Sequence, residues 1–371
     1  MLPIYFILLS CGTISMAEKL PYGIQLKLSG SDLQFPCCST KNIYTSTGRY
    51  ISKNVIGTRM QFFHDTAFLL LPRYRPGVPF SLAKFNLTSS NGKVLLEPFP
   101  SWTLQEEGNC ESIQNAIDLF MDPFERLWIL DLGIVNTLEQ PIRRCSAKIW
   151  GFNASSGEIL SVINLENLLG DNSRLQYILV DYSSEGMPFA YISDAGAGAI
   201  IVLNLLTSTG YRVVLPRAVS VNCGVKDILY VQLARKSTGN VVYFSYLSSP
   251  RLFSIKTSCL QSGEVSGAIL DVGSKPVGTQ MVLLGTDNGE GIFFRYKGQS
   301  DIYLWKSDDI FDGAKFSLVQ RGGDCRLATQ VVPGWGKVLW IIESNFHDYI
   351  AGTHGCLGAT VALYPMVKTI G

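Results

Sequence analysis

Short apolar runs, separated by polar or glycine-containing turns, recur along the whole chain. Each run has about five residues rich in β-branched and aromatic side chains, which is typical of a buried strand rather than of a helix face. Successive runs begin 47 to 62 residues apart, and the clearest are 67–71, 127–131, 189–194, 241–245, 291–295 and 338–342. A spacing of ~40–50 residues is expected for one four-stranded propeller blade with its loops. The pattern therefore predicts an all-β fold, a six-bladed β-propeller.

Turn residues divide each repeat into candidate strands, as Asn153–Gly157 does in the second. The predicted strands are 59–63, 68–71, 81–85 and 93–96 in the first blade; 113–119, 127–131, 147–152 and 159–164 in the second; 177–182, 189–193, 199–204 and 211–215 in the third; 227–233, 241–246 and 251–256 in the fourth; 280–285, 291–296 and 301–305 in the fifth; and 317–320, 328–332, 338–343 and 359–364 in the sixth. No low-complexity linker or run of charge interrupts the series, so we expect a single domain over residues 18–371.

Charge argues against two classes of partner. The chain has 31 Lys and Arg against 30 Asp and Glu, a formal net charge of +1. Nearly equal numbers of positive and negative side chains provide no basic surface for nucleic acid or for an anionic membrane. A propeller instead carries its ligand on the axis, where the inner strands of the blades meet. The expected partner is therefore a small molecule rather than nucleic acid or a membrane.

The first 17 residues have the pattern of a secretory signal peptide. Leu2–Leu9 is almost wholly apolar, and Ser15 and Ala17 place small residues at the −3 and −1 positions of a cleavage site. A membrane anchor is the alternative, but the apolar stretch is shorter than the ~20 residues needed to span a bilayer. We therefore expect a signal peptide over residues 1–17 and a secreted, extracellular protein.

The cysteine count fits an oxidising compartment. Eight cysteines follow the predicted signal, and an even number in a secreted chain indicates disulfides. We expect pairs that join loops within one blade, namely Cys110–Cys145, Cys223–Cys259 and Cys325–Cys356. Adjacent Cys37 and Cys38 rarely bridge each other, which leaves their state open. No CxxC pair is present and there are only three histidines, so structural zinc is not expected.

Two sequons predict glycosylation. Asn86-Leu87-Thr88 and Asn153-Ala154-Ser155 both lie in turn-like segments, where an N-linked glycan is accommodated at the surface. We expect glycans on Asn86 and Asn153.

Several segments resemble the yellow/major royal jelly protein family of insects. The similar segments, in the family's order, are Leu71–Pro79, Arg126–Gly133, Tyr191–Asp194, Tyr243–Ile255, Gly291–Phe294 and Leu339–Trp340 before Ser344–Asn345. The likeness covers most of residues 35–346, and it implies a secreted six-bladed propeller in agreement with the repeat count.

The resemblance also implies a ligand. Some salivary members of that family bind biogenic amines, such as serotonin or catecholamines, in the axial channel. Such a ligand needs aromatic faces for its ring and acceptors for its ammonium. In this chain we expect Thr329 to offer a hydroxyl, Asn345 an amide and Phe346 an aromatic face. Further contacts are sought among Tyr74, Asp131 and Tyr191.

Two other functions remain open at this stage. Yellow-type relatives suggest an enzyme acting on catechol or dopachrome-type pigment precursors, and royal jelly proteins suggest a nutritive or signalling glycoprotein without catalysis. No Gly-x-Ser-x-Gly elbow is present, although His347 or His354 near Asp348 offers acid–base chemistry. Some propellers hold calcium on the axis, for which Asp131, Asp194, Glu343 and Asn345 are the candidate ligands. We expect no cofactor, no metal and no catalytic residue.

Overall fold

The chain forms six four-stranded antiparallel sheets arranged as the blades of a propeller. The structure is a computed structural model that describes residues 25–88, 94–221, 226–323, 325–355 and 358–366. The predicted signal peptide and the cysteines Cys223 and Cys356 lie outside these described residues. The six-bladed prediction is confirmed.

The strands, in chain order, begin with β1 (Leu26–Ser29). The first blade contains β2 (Met60–Phe63), β3 (Thr66–Leu70), β4 (Leu82–Asn86) and β5 (Glu97–Pro98). The second blade contains β6 (Ala116–Met121), β7 (Arg126–Asp131), β10 (Lys148–Asn153) and β11 (Ile159–Asn164), with a separate two-stranded ribbon of β8 (Ile134–Val135) and β9 (Ile142–Arg143). The third contains β12 (Leu175–Tyr182), β13 (Pro188–Asp194), β14 (Ala199–Asn204) and β15 (Thr209–Val214).

The remaining blades repeat this plan. The fourth contains β16 (Leu229–Ala234), β17 (Val241–Tyr246), β18 (Arg251–Lys256) and β19 (Leu270–Ser274). The fifth contains β20 (Met281–Thr286), β21 (Gly291–Tyr296), β22 (Ile302–Lys306) and β23 (Ser317–Gln320). The sixth contains β24 (Leu327–Pro333), β25 (Leu339–Ser344), β26 (Thr360–Pro365) and β1.

Helices are few and short among the described residues. The α-helices are α1 (Cys38–Ser46), α2 (Thr257–Ser262) and α3 (Phe346–Ala351). Single 3-10 turns are found at Gly30–Asp32, Ser52–Asn54, Thr103–Gln105, Glu166–Leu168, Arg217–Ser220, Gly313–Lys315 and Trp335–Lys337. None of these helices is long and apolar enough to cross a membrane.

Several outer strands differ from the sequence prediction, and that of the first blade is Glu97–Pro98 rather than 93–96. Ser317–Gln320 pairs with β22 and is the outer strand of the fifth blade, not part of the sixth. The outer strand of the sixth blade is β1, whose Leu26 pairs with Leu363 of β26. The N-terminal strand thus completes the last sheet and closes the ring, as full closure removes an exposed edge.

The inner strands surround the axis. Each of β2, β6, β12, β16, β20 and β24 contacts the inner strands of the blades before and after it. Apolar side chains fill the spaces between neighbouring sheets, as Phe62 of the first blade packs on Trp340 of the sixth with ring centroids 5.3 Å apart. Polar groups that remain on the inner strands are therefore held in fixed positions around the axis.

Candidate functional site

A chain of polar and aromatic side chains crosses four neighbouring blades at the axis. Arg59, immediately before β2, donates from Nε to Asp118 Oδ1 on β6 at 3.0 Å. The guanidinium carbon of Arg59 lies 5.2 Å from the ring centroid of Tyr177 on β12. Tyr177 in turn stacks on Tyr230 of β16, with centroids 5.5 Å apart and planes inclined by 25°. We call Arg59, Asp118, Tyr177 and Tyr230 the Arg59 cluster.

β-Bulges shape the inner strands at this level. The pairing register shifts between Ala116 and Asp118, between Leu175 and Ile178, between Leu283 and Gly285, and between Ala328 and Gln330. A bulge leaves an extra residue unpaired and redirects side chains locally, which is why bulges are frequent beside binding sites. Tyr177 and Thr329 are two of the residues within these shifts. Both are half-buried, and Thr329 lies between two buried neighbours.

The carboxylate of the cluster is buried and fully engaged. Asp118 is 1% exposed, and its second oxygen accepts from the backbone amide of Ile178 at 2.8 Å. Burial raises the pKa of the Asp118 carboxyl, while the nearby Arg59 charge and the Ile178 hydrogen bond oppose that rise. For Arg59, burial lowers the pKa, but the charge and hydrogen bond of Asp118 together with Tyr177 and Tyr230 outweigh burial, and the pKa is raised. The two groups therefore stabilise each other's ionised form.

The tyrosines of the cluster stay protonated at physiological pH. Burial raises the pKa of Tyr177 to about 12 and that of Tyr230 well above its ordinary value. Both phenol groups are therefore neutral and available as hydrogen-bond donors or acceptors. The cluster brings together two stacked phenol rings, their hydroxyls and one guanidinium.

The predicted contact Thr329 lies on β24, the inner strand next to β2 around the ring. Its neighbour Gln330 accepts from the backbone amide of Met60 at 2.6 Å, which joins the sixth blade to the first beside Arg59. The Thr329 hydroxyl donates to Ile342 O at 3.4 Å, a long and weak hydrogen bond. The hydroxyl is therefore held only weakly by the fold. Its role as a ligand contact stays a prediction.

The predicted contacts Asn345 and Phe346 lie at the start of α3. Asn345 Oδ1 accepts from Thr360 N at 2.9 Å and so joins the end of β25 to the start of β26. The ring of Phe346 lies 5.9 Å from that of Tyr74 and 6.2 Å from that of Tyr349. Burial raises the pKa of Tyr74, and Tyr177 is the next largest influence on it. Phe346 thus packs on Tyr74 and Tyr349, while Asn345 has a structural partner.

The other sequence candidates have structural partners. Asp131 is 1% exposed and accepts from Gln114 N, Asn115 N, Gly133 N and Trp150 Nε1 at 2.8–3.2 Å. Tyr191 is buried, and its hydroxyl accepts from Gln261 Nε2 at 2.9 Å. Glu343 accepts from the Tyr364 hydroxyl at 2.5 Å. Within the described ranges, no three His, Cys, Asp or Glu side chains gather in the way that a metal site requires.

The three histidines lie away from the Arg59 cluster. His64 is in the turn between β2 and β3 with a side chain 72% exposed, and His354 packs 5.2 Å from Tyr349. His347 Nε2 does lie 3.5 Å from Asp348 Oδ1 on α3, but the two side chains are 47% and 41% exposed. An exposed pair is solvated on most sides, which suits a polar surface better than acid–base chemistry.

The resembled segment Leu71–Pro79 contains a buried structural arginine. Arg73 is 2% exposed, and its backbone amide donates to Asn115 Oδ1 at 2.7 Å. Its guanidinium donates to the carbonyl oxygens of Val78, Pro79, Gln105, Ile113 and Gln114. Arg73 therefore joins the loop after β3 to the segment that leads into β6, and it has no donor left for a ligand.

Cysteine pairing is resolved in one case. Cys110 and Cys145 form a disulfide within the second blade, as predicted. Among the described residues no disulfide partner is found for Cys259 and Cys325, nor for the exposed Cys37 and Cys38. The expected partners Cys223 and Cys356 lie outside the described residues, so those two pairings stay predictions.

The two predicted glycosylation sites lie at strand ends. Asn86 is exposed at the end of β4, and Asn153 is half-buried at the end of β10.

The sequence reasoning missed the Arg59 cluster. Nothing local marks Arg59 or Asp118, since each is one charged residue beside an apolar run. Tyr177 and Tyr230 read as ordinary strand aromatics, because their stacking depends on a bulge and on the packing of two blades. The propeller fold predicts that a ligand site lies on the inner strands, but it does not identify these four residues.

Comparison with known proteins identifies relatives over most of the propeller. A family model described as Major royal jelly protein matches residues 114–359. Major royal jelly protein 7 of Apis mellifera is 29% identical over 211 residues, which cover 53% of this chain and 46% of the relative. Protein yellow of Drosophila melanogaster is 24% identical over 278 residues, 69% of this chain and 51% of that protein. The matches therefore span about half the length of these relatives.

A solved propeller of lower similarity aligns as well. Virginiamycin B lyase from Staphylococcus aureus matches 86% of this chain and 81% of its own, with a TM-score of 0.48 and 11% identity. So distant a likeness carries no argument about function.

Proposed function

Because this chain belongs to the major royal jelly protein family, we propose that it is a secreted propeller that binds a small aromatic amine, such as serotonin or a catecholamine, in its axial channel. The observation that carries the proposal is the stack of Tyr177 on Tyr230 beside the Arg59 guanidinium. Concave sites with aromatic walls and a few fixed polar groups are the usual places where small ligands bind.

The chemistry of the cluster suits a hydroxylated aromatic ring. The ring packs against the edge of the Tyr177 and Tyr230 stack, since aromatic pairs favour offset-stacked or edge contacts. Hydroxyl oxygens on the ring accept hydrogen bonds from the guanidinium of Arg59. The ammonium then turns toward acceptors on the sixth blade, of which the lightly held Thr329 hydroxyl is the first candidate. Phe346 and Tyr74 supply a second aromatic wall.

Calorimetry tests this function directly. Serotonin, dopamine and noradrenaline are titrated into the secreted, glycosylated protein and into Tyr177→Leu. We expect one-to-one binding that the variant weakens by about five- to tenfold, the loss of one aromatic contact. The matched control is Tyr303→Leu, because Tyr303 also stacks on an aromatic ring, that of Phe294 at 5.7 Å, but lies on β22 away from the inner strands. Absence of heat with all three amines would refute the proposal.

An enzyme acting on catechol-derived pigment precursors has less support. Such chemistry needs an acid or base with an open position near the ring. Both oxygens of Asp118 are already bonded, and the histidines lie elsewhere. A non-catalytic nutritive or signalling role is the remaining alternative. Absence of binding heat with all three amines would favour it.

Secretion and glycosylation are part of the same proposal. Expression of the full chain in insect cells should release the protein into the medium, with cleavage after Ala17. Treatment with a glycosidase should reduce its mass, and Asn86→Gln with Asn153→Gln should abolish that reduction. Retention of the protein inside the cells would count against this part.

A further inference from the structure

Most N–H donors of Arg59 make no hydrogen bond to the residues that the structure describes. A guanidinium carries five N–H donors in a planar fork. Among the described residues, only the Nε donor of Arg59 is used, in its 3.0 Å hydrogen bond to Asp118. The side chain is 16% exposed, and neither terminal nitrogen is among the buried side-chain atoms that lack a partner, so both retain access to solvent.

Two other buried arginines show the contrast. Arg73 directs its guanidinium at five carbonyl oxygens. Arg295 donates from Nε to Ala328 O at 2.8 Å and from Nη1 to Tyr296 O at 3.2 Å. Both serve the fold. Arg59 differs because the described residues engage only its Nε and leave its two terminal nitrogens without a hydrogen bond.

The geometry of Asp118 explains why those nitrogens stay without a hydrogen bond. A carboxylate and a guanidinium commonly pair through two parallel hydrogen bonds. Here the second oxygen of Asp118 is turned toward Ile178 N at 2.8 Å, so Asp118 meets Arg59 through one bond only. Asp118 thus orients the guanidinium plane without occupying its terminal nitrogens. A second carboxylate is the acceptor that best matches such a fork.

The position of the two terminal nitrogens defines the ligand. The guanidinium carbon lies 5.2 Å from the Tyr177 ring, so a molecule with its ring against Tyr177 brings a nearby carboxylate to Arg59. An ammonium placed there would meet a like charge instead. We propose that the axial site selects a carboxylate next to the aromatic ring, so that a hydroxylated aromatic amino acid or aryl acid binds more tightly than the amine formed by decarboxylation. This inference rests on the axial aromatic site proposed above.

A matched ligand series tests the inference by calorimetry. Serotonin is compared with 5-hydroxytryptophan, which adds the carboxylate, and with 5-hydroxyindoleacetate, which carries the carboxylate and lacks the amine. We expect both carboxylates to bind at least about tenfold more tightly than serotonin, the usual scale for a hydrogen bond to a charged group. In Arg59→Gln the three affinities should fall within about threefold of one another.

Two further variants keep the test decisive. Arg59→Gln leaves Asp118 buried and unpaired, so Arg59→Gln with Asp118→Asn serves as a neutral hydrogen-bonded replacement if the single variant fails to fold. The control is Arg75→Gln: Arg75 also pairs with a carboxylate, Glu139 at 2.5 Å, and lies 5.2 Å over a tyrosine ring, that of Tyr349. This control should preserve the preference for carboxylates.

Each outcome has one meaning. Serotonin binding as tightly as the two carboxylates in the wild-type protein overturns the inference and leaves the axial site standing. A carboxylate preference that persists without Arg59 also overturns it. Failure of all three ligands to bind the wild-type protein refutes the proposed function itself. The wild-type ranking alone decides the matter should neither Arg59 variant fold.

Discussion

Asp131 and Asp194 hold the same position in adjacent blades, and each carboxylate bonds to the backbone that leads into the first strand of its own blade. Asp131 ends β7 opposite Ala116, and Asp194 ends β13 opposite Leu175. Asp131 accepts from Gln114 N and Asn115 N at 2.9 and 2.8 Å, and Asp194 accepts from Arg174 N at 2.8 Å. Two residues that the sequence offers as calcium ligands are therefore ties between a blade's second strand and the loop before its first.

The first prediction concerns this tie. Asp131→Asn replaces an acceptor oxygen by a donor that faces backbone N–H groups, without changing the volume of the side chain. We expect the free energy of unfolding to fall by about 2 to 4 kcal/mol, because buried donors lose their partner. Urea unfolding measures the change. The exposed Asp309→Asn should leave the midpoint almost unchanged.

Addition of calcium tests the alternative role of Asp131, that of a metal ligand. If this residue were a metal ligand, calcium would raise the unfolding midpoint of the wild-type protein and a chelator would lower it. We expect neither change.

The second prediction concerns Arg73. Lysine has three donors on one point charge and cannot reach five carbonyl oxygens, so Arg73→Lys should lower the free energy of unfolding by about 3 kcal/mol or more. Secreted yield and the thermal midpoint measure the effect. Arg75→Lys, at a less buried arginine on the same loop, should cost less than about 1 kcal/mol. Equal effects of the two substitutions would contradict the structural role of Arg73.

The third prediction concerns pH and Glu343. Burial raises the pKa of this carboxyl, and the Tyr364 hydroxyl bonded to it only partly opposes the rise. The folded protein therefore holds this proton to higher pH than the unfolded chain, whose Glu titrates near about 4.3. It follows that the Glu343 contribution to stability is lost as the pH rises through the window above that value.

Glu343→Gln removes the titration and retains an acceptor for Tyr364. Its free energy of unfolding relative to the wild-type protein should rise with pH above about 4.3 and level off once the wild-type carboxyl is ionised. Urea unfolding of both proteins from pH 4 to pH 7 gives the difference. A difference that stays constant or falls with pH would show that burial does not control this carboxyl.

The fourth prediction concerns Thr329. Thr329→Val keeps the β-branched shape that suits a strand and removes the hydroxyl, whose hydrogen bond to Ile342 O is already long at 3.4 Å. We expect stability to change by less than about 1 kcal/mol and serotonin binding to weaken by about five- to tenfold. Thr360→Val, at the start of β26, is the matched control. Unchanged serotonin affinity in Thr329→Val would remove this residue from the site.

The sequence by itself determined the repeat. Apolar runs rich in β-branched and aromatic residues can be buried only as strands between sheets, and turn residues set their ends. The strands Ile159–Asn164, Val241–Tyr246 and Arg251–Lys256 were predicted with the bounds that the structure has. Strand bounds depend on residues only a few positions away, so the amino-acid sequence is enough to predict them. The Cys110–Cys145 pair was found in the same way, by its position within one blade.

Only the tertiary structure decided which residues face the axis together. Arg59 and Asp118 are 59 residues apart, and they meet because two inner strands lie side by side in the ring. Closure of the ring likewise brings Leu26–Ser29 against the last blade. Bulges turn Tyr177 and Thr329 out of the regular alternation, which no local pattern reveals. Local periodicity specifies strands, whereas long-range pairing and closure specify the site, because the energies that fix it come from contacts between blades.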